Sequence, residues 1–280
     1  MRGVPWVFLV LLAPLWAADP LNLYFIDTEG GHATLVVAPS GASLLVDAGH
    51  EGFGGRDATR IRTAAKDAGV KKIDYLLITS FQSDRVGGIK NLLEVLPVGT
   101  FLDQGAGTGG YPEAYQAGFA KGKHQVVASG DQIPIKGLTV TVLGEGECGG
   151  VTVEFGKFRF ASLGDMCAQN KTGKVDVMLT MLNGGPGGMA PRVAILNNGP
   201  RTGGDAASWK NIMASPGLED LWQVHFAMAN GAAANVSDAL IANLNESEDG
   251  SFLKVSAAAD GSFAVWNARN KYTRKYGPAR

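Results

Sequence analysis

Short apolar runs, most of them closed by glycine or by a polar turn, recur along this chain. The run KIDYLLITS is almost continuously apolar, which is typical of a strand buried on both faces of a sheet. The segments GRDATRIRTAAKDAGV and VGGIKNLLEVL are predicted to be helices, the first of which ends at Gly69. Strands are predicted at residues 21–39, 41–49, 72–80, 99–105, 124–144, 151–165, 175–182, 191–199, 218–227 and 251–269, and helices at 55–70, 86–96, 112–122, 205–215 and 237–245.

The order of these elements predicts an α/β fold. Strands come first, helices are interspersed, and the same arrangement returns in the second half of the chain. Two mixed sheets packed face to face, with helices outside, satisfy this order. No linker, repeat or low-complexity tract is evident, so residues 19–280 are expected to form a single domain.

Residues 1–18 have the pattern of a secretory signal peptide. Arg2 precedes the apolar run VPWVFLVLLAPLW, and the small residues Ala17 and Ala18 follow it. The run is shorter than the ~20 apolar residues that a membrane-spanning helix needs, although a retained membrane anchor is the alternative. We therefore expect a secreted or periplasmic protein that is not attached to a membrane once the signal has been cleaved.

Export changes the interpretation of the two cysteines. Cys148 and Cys167 flank VTVEFGKFRFASLGD, which is predicted to form a β-hairpin that turns at Gly156-Lys157. Such a hairpin would bring the cysteines together at its open end, and an oxidising compartment would favour a disulfide between them. The alternative is two unpaired thiols.

Charge limits the kind of partner. The net charge is −1 and no basic tract is present, which indicates that the protein does not bind nucleic acid through its phosphates. The partner is expected to be a small molecule or a protein, and the sequence identifies neither.

Three signatures follow one another in an informative order. LLVDAG is a strand that ends in Asp47, YLLITSFQSDRVGG joins a strand to a polar loop and a Gly-Gly pair, and KFRFASLGD ends in Asp165. Together they resemble the metallo-β-lactamase fold, and VDVMLT followed by PRVAILNNG resembles the branch that includes the hydrolase domain of bacterial competence proteins. The resemblance implies a four-layer αββα sandwich from about Leu21 to Val265.

The resemblance also shows what is missing. The family has His-x-His-x-Asp-His before the Gly-Gly pair, whereas this chain keeps Asp84 and has Ser80, Gln82 and Arg85 at the histidine positions. Hydroxyl and amide oxygens are poor zinc ligands, and arginine offers no lone pair and repels a cation. The resemblance therefore predicts a degenerate metal site.

Positions further along the chain agree with this interpretation. Asp165 stands where the family has a metal-bridging aspartate, but Leu182 and Asn183 stand where the branch has two adjacent histidines. Asp84 and Asp165 are the remaining candidates for a catalytic role. If they converge with Asp47, their mutual repulsion requires a cation, which is either Arg85 or a hard metal ion bound by oxygen atoms.

Four residues outside this motif are candidates for lining the cleft. They are Asp27, Asp47, His50 and His225. Each also has a plainer interpretation, because strand-end carboxylates often accept turn hydrogen bonds and most histidines are structural.

Two functions fit these observations. The first is an exported pseudo-hydrolase without zinc chemistry and without a cofactor, which acts as a binding or structural module. The second is an active metal-dependent hydrolase with a remodelled site, using zinc on an ester, a phosphodiester or a lactam. The fold alone does not choose between them.

The signal peptide gives the first testable prediction. The chain recovered from the cell that produces it should begin just after Ala17 or Ala18, because signal peptidases cleave after small residues that follow an apolar core. N-terminal sequencing checks this, and a chain that still begins at Met1 would contradict it.

Overall fold

The computed structural model describes residues 19–144, 149–162, 173–180, 189–228, 231, 234–246 and 250–279. The signal sequence, both cysteines (Cys148 and Cys167), Asp165, Leu182 and Asn183 therefore lie outside the described residues. Within the described part, no helix is both long enough and apolar enough to cross a membrane.

Seventeen strands and five α-helices make up the described part of the chain. The strands are β1 (Leu21–Phe25), β2 (Thr34–Val37), β3 (Ser43–Val46), β4 (Ile73–Leu77), β5 (Val98–Asp103), β6 (Lys123–Val126), β7 (Gln132–Ile133), β8 (Thr139–Leu143), β9 (Gly150–Phe155), β10 (Phe158–Ser162), β11 (Lys174–Thr180), β12 (Ala190–Leu196), β13 (Asp220–His225), β14 (Ile241–Asn243), β15 (Leu253–Ala257), β16 (Phe263–Asn267) and β17 (Thr273–Tyr276). The helices are α1 (Arg56–Asp67), α2 (Ser83–Val86), α3 (Ile89–Val95), α4 (Glu113–Phe119) and α5 (Ala206–Met213).

The strands form two mixed sheets. The first has the order β17-β16-β15-β1-β2-β3-β4-β5-β6, and the second has the order β14-β13-β12-β11-β10-β9-β8-β7. Strands β3 to β6 are parallel to one another, as are β10 to β14. The carboxyl ends of parallel strands share one edge of a sheet. The topology therefore groups the loops that follow β3 and β4 in the first sheet, and those that follow β12 and β13 in the second.

Three apolar cores hold the layers together. The two sheets face each other across the largest core, in which the rings of Phe25 and Phe160 lie 5.7 Å apart. Helices α1, α3 and α4 cover the outer face of the first sheet, and α5 covers the second, where Ile212 is fully buried. The predicted four-layer αββα sandwich is confirmed.

Helix α1 packs on the first sheet through an apolar stripe that also contains two charged residues. Its buried positions recur every three or four residues and include Ile61, Ala64 and Ala65, which face the sheet. Asp57 and Arg60 fall on the same buried face. Two charged side chains on a core-facing stripe need partners inside the protein, and they find them at the edge where the loops meet.

Of two local predictions of secondary structure, one is confirmed and one is wrong. The predicted hairpin forms over β9 and β10, and the cysteine pair at its end stays a prediction. The helix predicted at 237–245 is wrong: only Asp238–Leu240 is helical, as a 3-10 turn, and β14 follows because its backbone pairs with β13. A nine-residue helix has too few internal hydrogen bonds to outweigh a place at the edge of a sheet.

Candidate functional site

The loops after β1, β3 and β4 are joined by backbone hydrogen bonds at one edge of the first sheet. The amide of His32 donates to the carbonyl of Asp84 (3.0 Å), and the amide of Ala48 donates to the carbonyl of Arg85 (2.7 Å). The amide of Gly49 in turn donates to the carbonyl of His32 (3.0 Å). These bonds connect three loops with no contribution from a side chain.

The Gly-Gly pair of the motif permits this close packing. A Cβ at Gly88 would lie 2.1 Å from the carbonyl oxygen of Ala48, and one at Gly87 would lie 2.5 Å from the amide nitrogen of Glu51. Both distances are well below van der Waals contact, so a side chain at either position would push the loop after β3 away. The glycines are therefore required by packing, whether or not a metal is bound.

Asp47 is the centre of the site and is fully buried. One carboxylate oxygen accepts the amide of Thr79 (2.7 Å), and the other accepts the Thr79 hydroxyl (2.7 Å) and Nδ1 of His32 (2.6 Å). Burial opposes ionisation of Asp47. The bond to His32, the charges of His32 and Arg85 and the Thr79 amide outweigh burial and hold the pKa of Asp47 below its ordinary value.

Arg85 lies between two carboxylates. Its side chain is buried, with Nη1 3.4 Å from Oδ2 of Asp47 and Nε 3.4 Å from Oδ2 of Asp84. Asp84 is partly exposed, Ser80 is half-buried and Gln82 is exposed. A permanent positive charge thus lies at ion-pair distance from Asp47 and Asp84 at this edge of the sheet.

The described residues do not fit a zinc ion. Among them, no three His, Cys, Asp or Glu side chains converge closely enough to hold a metal. The Arg85 guanidinium beside Asp47 and Asp84 would repel a cation there. We therefore derive no chemical step through a metal.

A second buried ion pair lies under the loop that follows β1. Nη1 of Arg60 is 3.1 Å from Oδ2 of Asp27, and both side chains are almost fully buried. Nη2 of Arg60 reaches Glu29 (3.2 Å), whose amide donates to Oδ1 of Asp27 (2.9 Å). Burial raises the pKa of Asp27 to about 6, although the nearby charge of Arg60 opposes the shift.

His225 lies at the end of β13 and is fully buried. Its Nδ1 is 2.9 Å from the carbonyl oxygen of Phe226, so Nδ1 carries the proton. Its Nε2 has no hydrogen-bond partner among the residues that the structure describes. The carbonyl of His225 accepts from the Asn198 side chain (2.7 Å), which joins the ends of β12 and β13 within the second sheet.

Of the four cleft candidates, His50 lines an open cavity formed by described residues. It belongs to a cleft of about 990 Å³ together with Phe53, Arg56 and Arg201. Asp27, Asp47 and His225 are buried instead. Asp27 is paired with Arg60, Asp47 accepts from Thr79, and Nδ1 of His225 donates to the carbonyl of Phe226. These three buried residues therefore hold the loops in position and do not form the surface of this cleft.

Sequence reasoning missed several residues of this region. Thr79 holds Asp47, Arg60 pairs with Asp27, and the side chain of Asn197 donates to the carbonyl of Gly31 (2.6 Å) across the two sheets. Arg60 could have been found, because it occupies a buried position in the helical period of α1. The polar pair Asn197-Asn198 at the end of an apolar strand was a comparable signal.

Comparison with known proteins agrees with this arrangement of loops. The model of the metallo-beta-lactamase superfamily matches residues 26–211, which is most of the chain. The chain belongs to this superfamily. No curated protein matches it in sequence.

Two solved structures are similar to this chain. The metallo-beta-lactamase fold protein YhfI from Bacillus subtilis is 15% identical, with 73% of this chain and 96% of that chain covered and a TM-score of 0.52. Zn²⁺-bound PqqB from Methylobacterium extorquens is 17% identical, with 57% and 70% covered and a TM-score of 0.44. At 15% identity the likeness to YhfI concerns the fold and not the chemistry.

The ion pair at Arg85 can be tested by stability. Arg85→Leu should lower the free energy of unfolding by about 3–5 kcal/mol at neutral pH, because it leaves the buried Asp47 without this cation. Arg62→Leu, which removes an exposed arginine from α1, should change it by less than about 0.5 kcal/mol. Denaturant unfolding measures both variants.

A double variant separates charge from packing at the same site. Asp47→Asn combined with Arg85→Leu should recover part of the loss, since an amide needs no counter-charge. Losses that simply add, or equal losses for Arg62→Leu and Arg85→Leu, would show that Arg85 does not compensate Asp47.

The raised pKa of Asp27 predicts a dependence of stability on pH. The folded chain holds the Asp27 proton up to a pH of about 6, whereas the unfolded chain loses it near ~3.9. Between these values the folded state binds more protons, so this group lowers the free energy of unfolding as the pH rises, by up to about 3 kcal/mol.

Unfolding in urea from pH 4 to pH 7 checks this against Asp27→Asn, which cannot titrate. The wild-type chain should lose stability relative to the variant over that window. Asp260→Asn is the control, because Ser262 lowers the pKa of the exposed Asp260 and its removal should leave the decline intact. A constant difference between wild type and Asp27→Asn would contradict the assignment.

Proposed function

We propose that this member of the metallo-beta-lactamase superfamily is a binding module that does not hydrolyse its ligand with zinc. The observation that carries the proposal is the buried guanidinium of Arg85 at ion-pair distance from Asp47 and Asp84. A zinc ion at this edge would have to coexist with that fixed charge, and Ser80 and Gln82 offer it weak donors.

The connections between the loops support the same proposal. The loops after β1, β3 and β4 are joined by backbone bonds and by the close approach of Gly87 and Gly88. The carboxylate of Asp47, which adjoins this edge, has its donors from Thr79 and His32. None of these contacts needs a metal, so the shape of the edge can persist as a binding surface after the ligands for catalysis have been replaced.

Metal content and hydrolysis test the proposal together. The purified mature chain should contain well under one zinc ion per chain after dialysis against zinc. It should also fail to hydrolyse a chromogenic lactam, a nitrophenyl ester and a nitrophenyl phosphodiester, with or without a chelator. Elemental analysis and absorbance assays provide these readouts.

A restored motif serves as the matched control. The combined variant Ser80→His, Gln82→His and Arg85→His should bind more zinc than wild type, because three imidazoles replace a hydroxyl, an amide and a cation beside Asp84. One or two zinc ions per wild-type chain, with hydrolysis abolished by a chelator, would overturn the proposal in favour of a metal-dependent hydrolase with a remodelled site.

A further inference from the structure

Phe53 is anomalous in two respects. Its side chain is 71% exposed, and its backbone has a φ of 48°, which is unfavourable for a bulky residue. The neighbouring Gly52, Gly54 and Gly55 also have positive φ, so four consecutive residues have backbone angles that favour glycine. A turn built from glycines that nevertheless keeps one strained, exposed aromatic ring suggests a function for that ring.

One face of the ring is held against a fixed charge. The guanidinium carbon of Arg56 lies 4.4 Å from the centre of the Phe53 ring. Arg56 is itself clamped, with Nη1 2.6 Å from Glu29 and Nε 2.8 Å from Asp57. Phe53 therefore rests on a rigid and neutralised support, which leaves other parts of its surface available to a ligand.

A second arginine lies in the same cleft and is held more loosely. Arg201 is 74% exposed and forms an ion pair with Glu246 at 3.2 Å, where the glutamate is also about half exposed. Ion pairs between such exposed groups contribute little to stability. A carboxylate on a ligand can therefore compete with Glu246 for the planar fork of Arg201.

The cleft has the dimensions of a small-molecule site. The cleft has a volume of about 990 Å³, which is typical of small-molecule sites. Phe53, Arg201 and His50 all line it. A ligand with a flat ring and a negative charge would stack on the Phe53 ring and pair with the guanidinium of Arg201. A positively charged ring fits less well, because the Arg56 guanidinium already lies over the Phe53 ring.

From these observations we propose that the cleft binds an aromatic carboxylate, with Phe53 as the stacking surface and Arg201 as the partner of the carboxylate. This inference rests on the proposed binding function and names a ligand class for it. It assigns no catalytic role to either residue.

Calorimetric titration with 2-naphthoate tests the proposal on the mature chain. Wild type should bind one molecule saturably, and it should bind cyclohexanecarboxylate and 2-naphthylmethylamine more weakly. Phe53→Leu, which keeps an apolar side chain without the ring, should weaken naphthoate binding about three- to tenfold, the change expected for loss of an aromatic pair. Arg201→Gln should weaken naphthoate binding by a comparable factor and should abolish the preference over the amine.

Two control variants test whether the loss of affinity is specific to the ring of Phe53 and to this cleft. Phe53→Tyr keeps the ring and should retain affinity, and Val126→Ala, at an exposed position on β6, should have no effect. Because Phe53 and Arg201 are exposed, their variants are expected to fold, and thermal unfolding of each variant checks this. Absence of naphthoate binding, equal binding of cyclohexanecarboxylate, preference for the amine, or unchanged affinity in Phe53→Leu would each overturn the inference.

A chelator distinguishes this inference from the proposed function. Naphthoate binding that persists in a chelator supports the cleft even if the wild-type chain proves to hold zinc and to hydrolyse a substrate. Naphthoate binding that disappears in a chelator would mean that a metal holds the carboxylate, and it would overturn the role of Arg201.

Discussion

The buried charge of Asp47 is the constraint on which this edge of the molecule depends. An ionised carboxylate without exposure to water is costly unless donors and a positive charge surround it. Its donors come from three separate elements: Thr79 follows β4, His32 follows β1, and Arg85 belongs to α2. Satisfying one charge therefore fixes three loops relative to one another.

The buried ion pair of Asp27 and Arg60 connects helix α1 to the loop after β1 in the same way. Arg60 projects from the buried face of α1 and bonds both the carbonyl and the carboxylate of Asp27. This bond orients the first turns of α1 against the loop after β1. Arg56 lies one turn before Arg60 and bonds Glu29 in that loop, so the position of Phe53 follows from two ion pairs and not from packing of its own ring.

The sequence predicted the fold better than it predicted the site. The αββα layers followed from the order of apolar runs and from three signatures, because layer order is encoded over the whole chain. Asp84 and Arg85, which the sequence put in a polar loop after an apolar strand, lie in α2 after β4. The sequence could not show that Asp47 and His225 are buried while His50 lines a cleft, because burial depends on which loop lies over which strand end. Thr79 was missed because a threonine at a strand end has no distinctive pattern.

Under the proposed function, an arginine in place of a metal ligand changes more than the chemistry. A metal-ligated loop reaches its final order only when the ion is bound, so its stability varies with metal supply and with the protonation of histidine. Arginine is charged at every pH that a protein encounters and is covalently part of the chain. An edge held by Arg85 is therefore ordered as soon as the chain folds. Gly87, Gly88 and the backbone bonds between the loops hold the loop after β3, beside which the cleft with Phe53 and Arg201 opens. The geometry of this loop therefore does not depend on histidines at positions 80, 82 and 85, because other physical interactions maintain it.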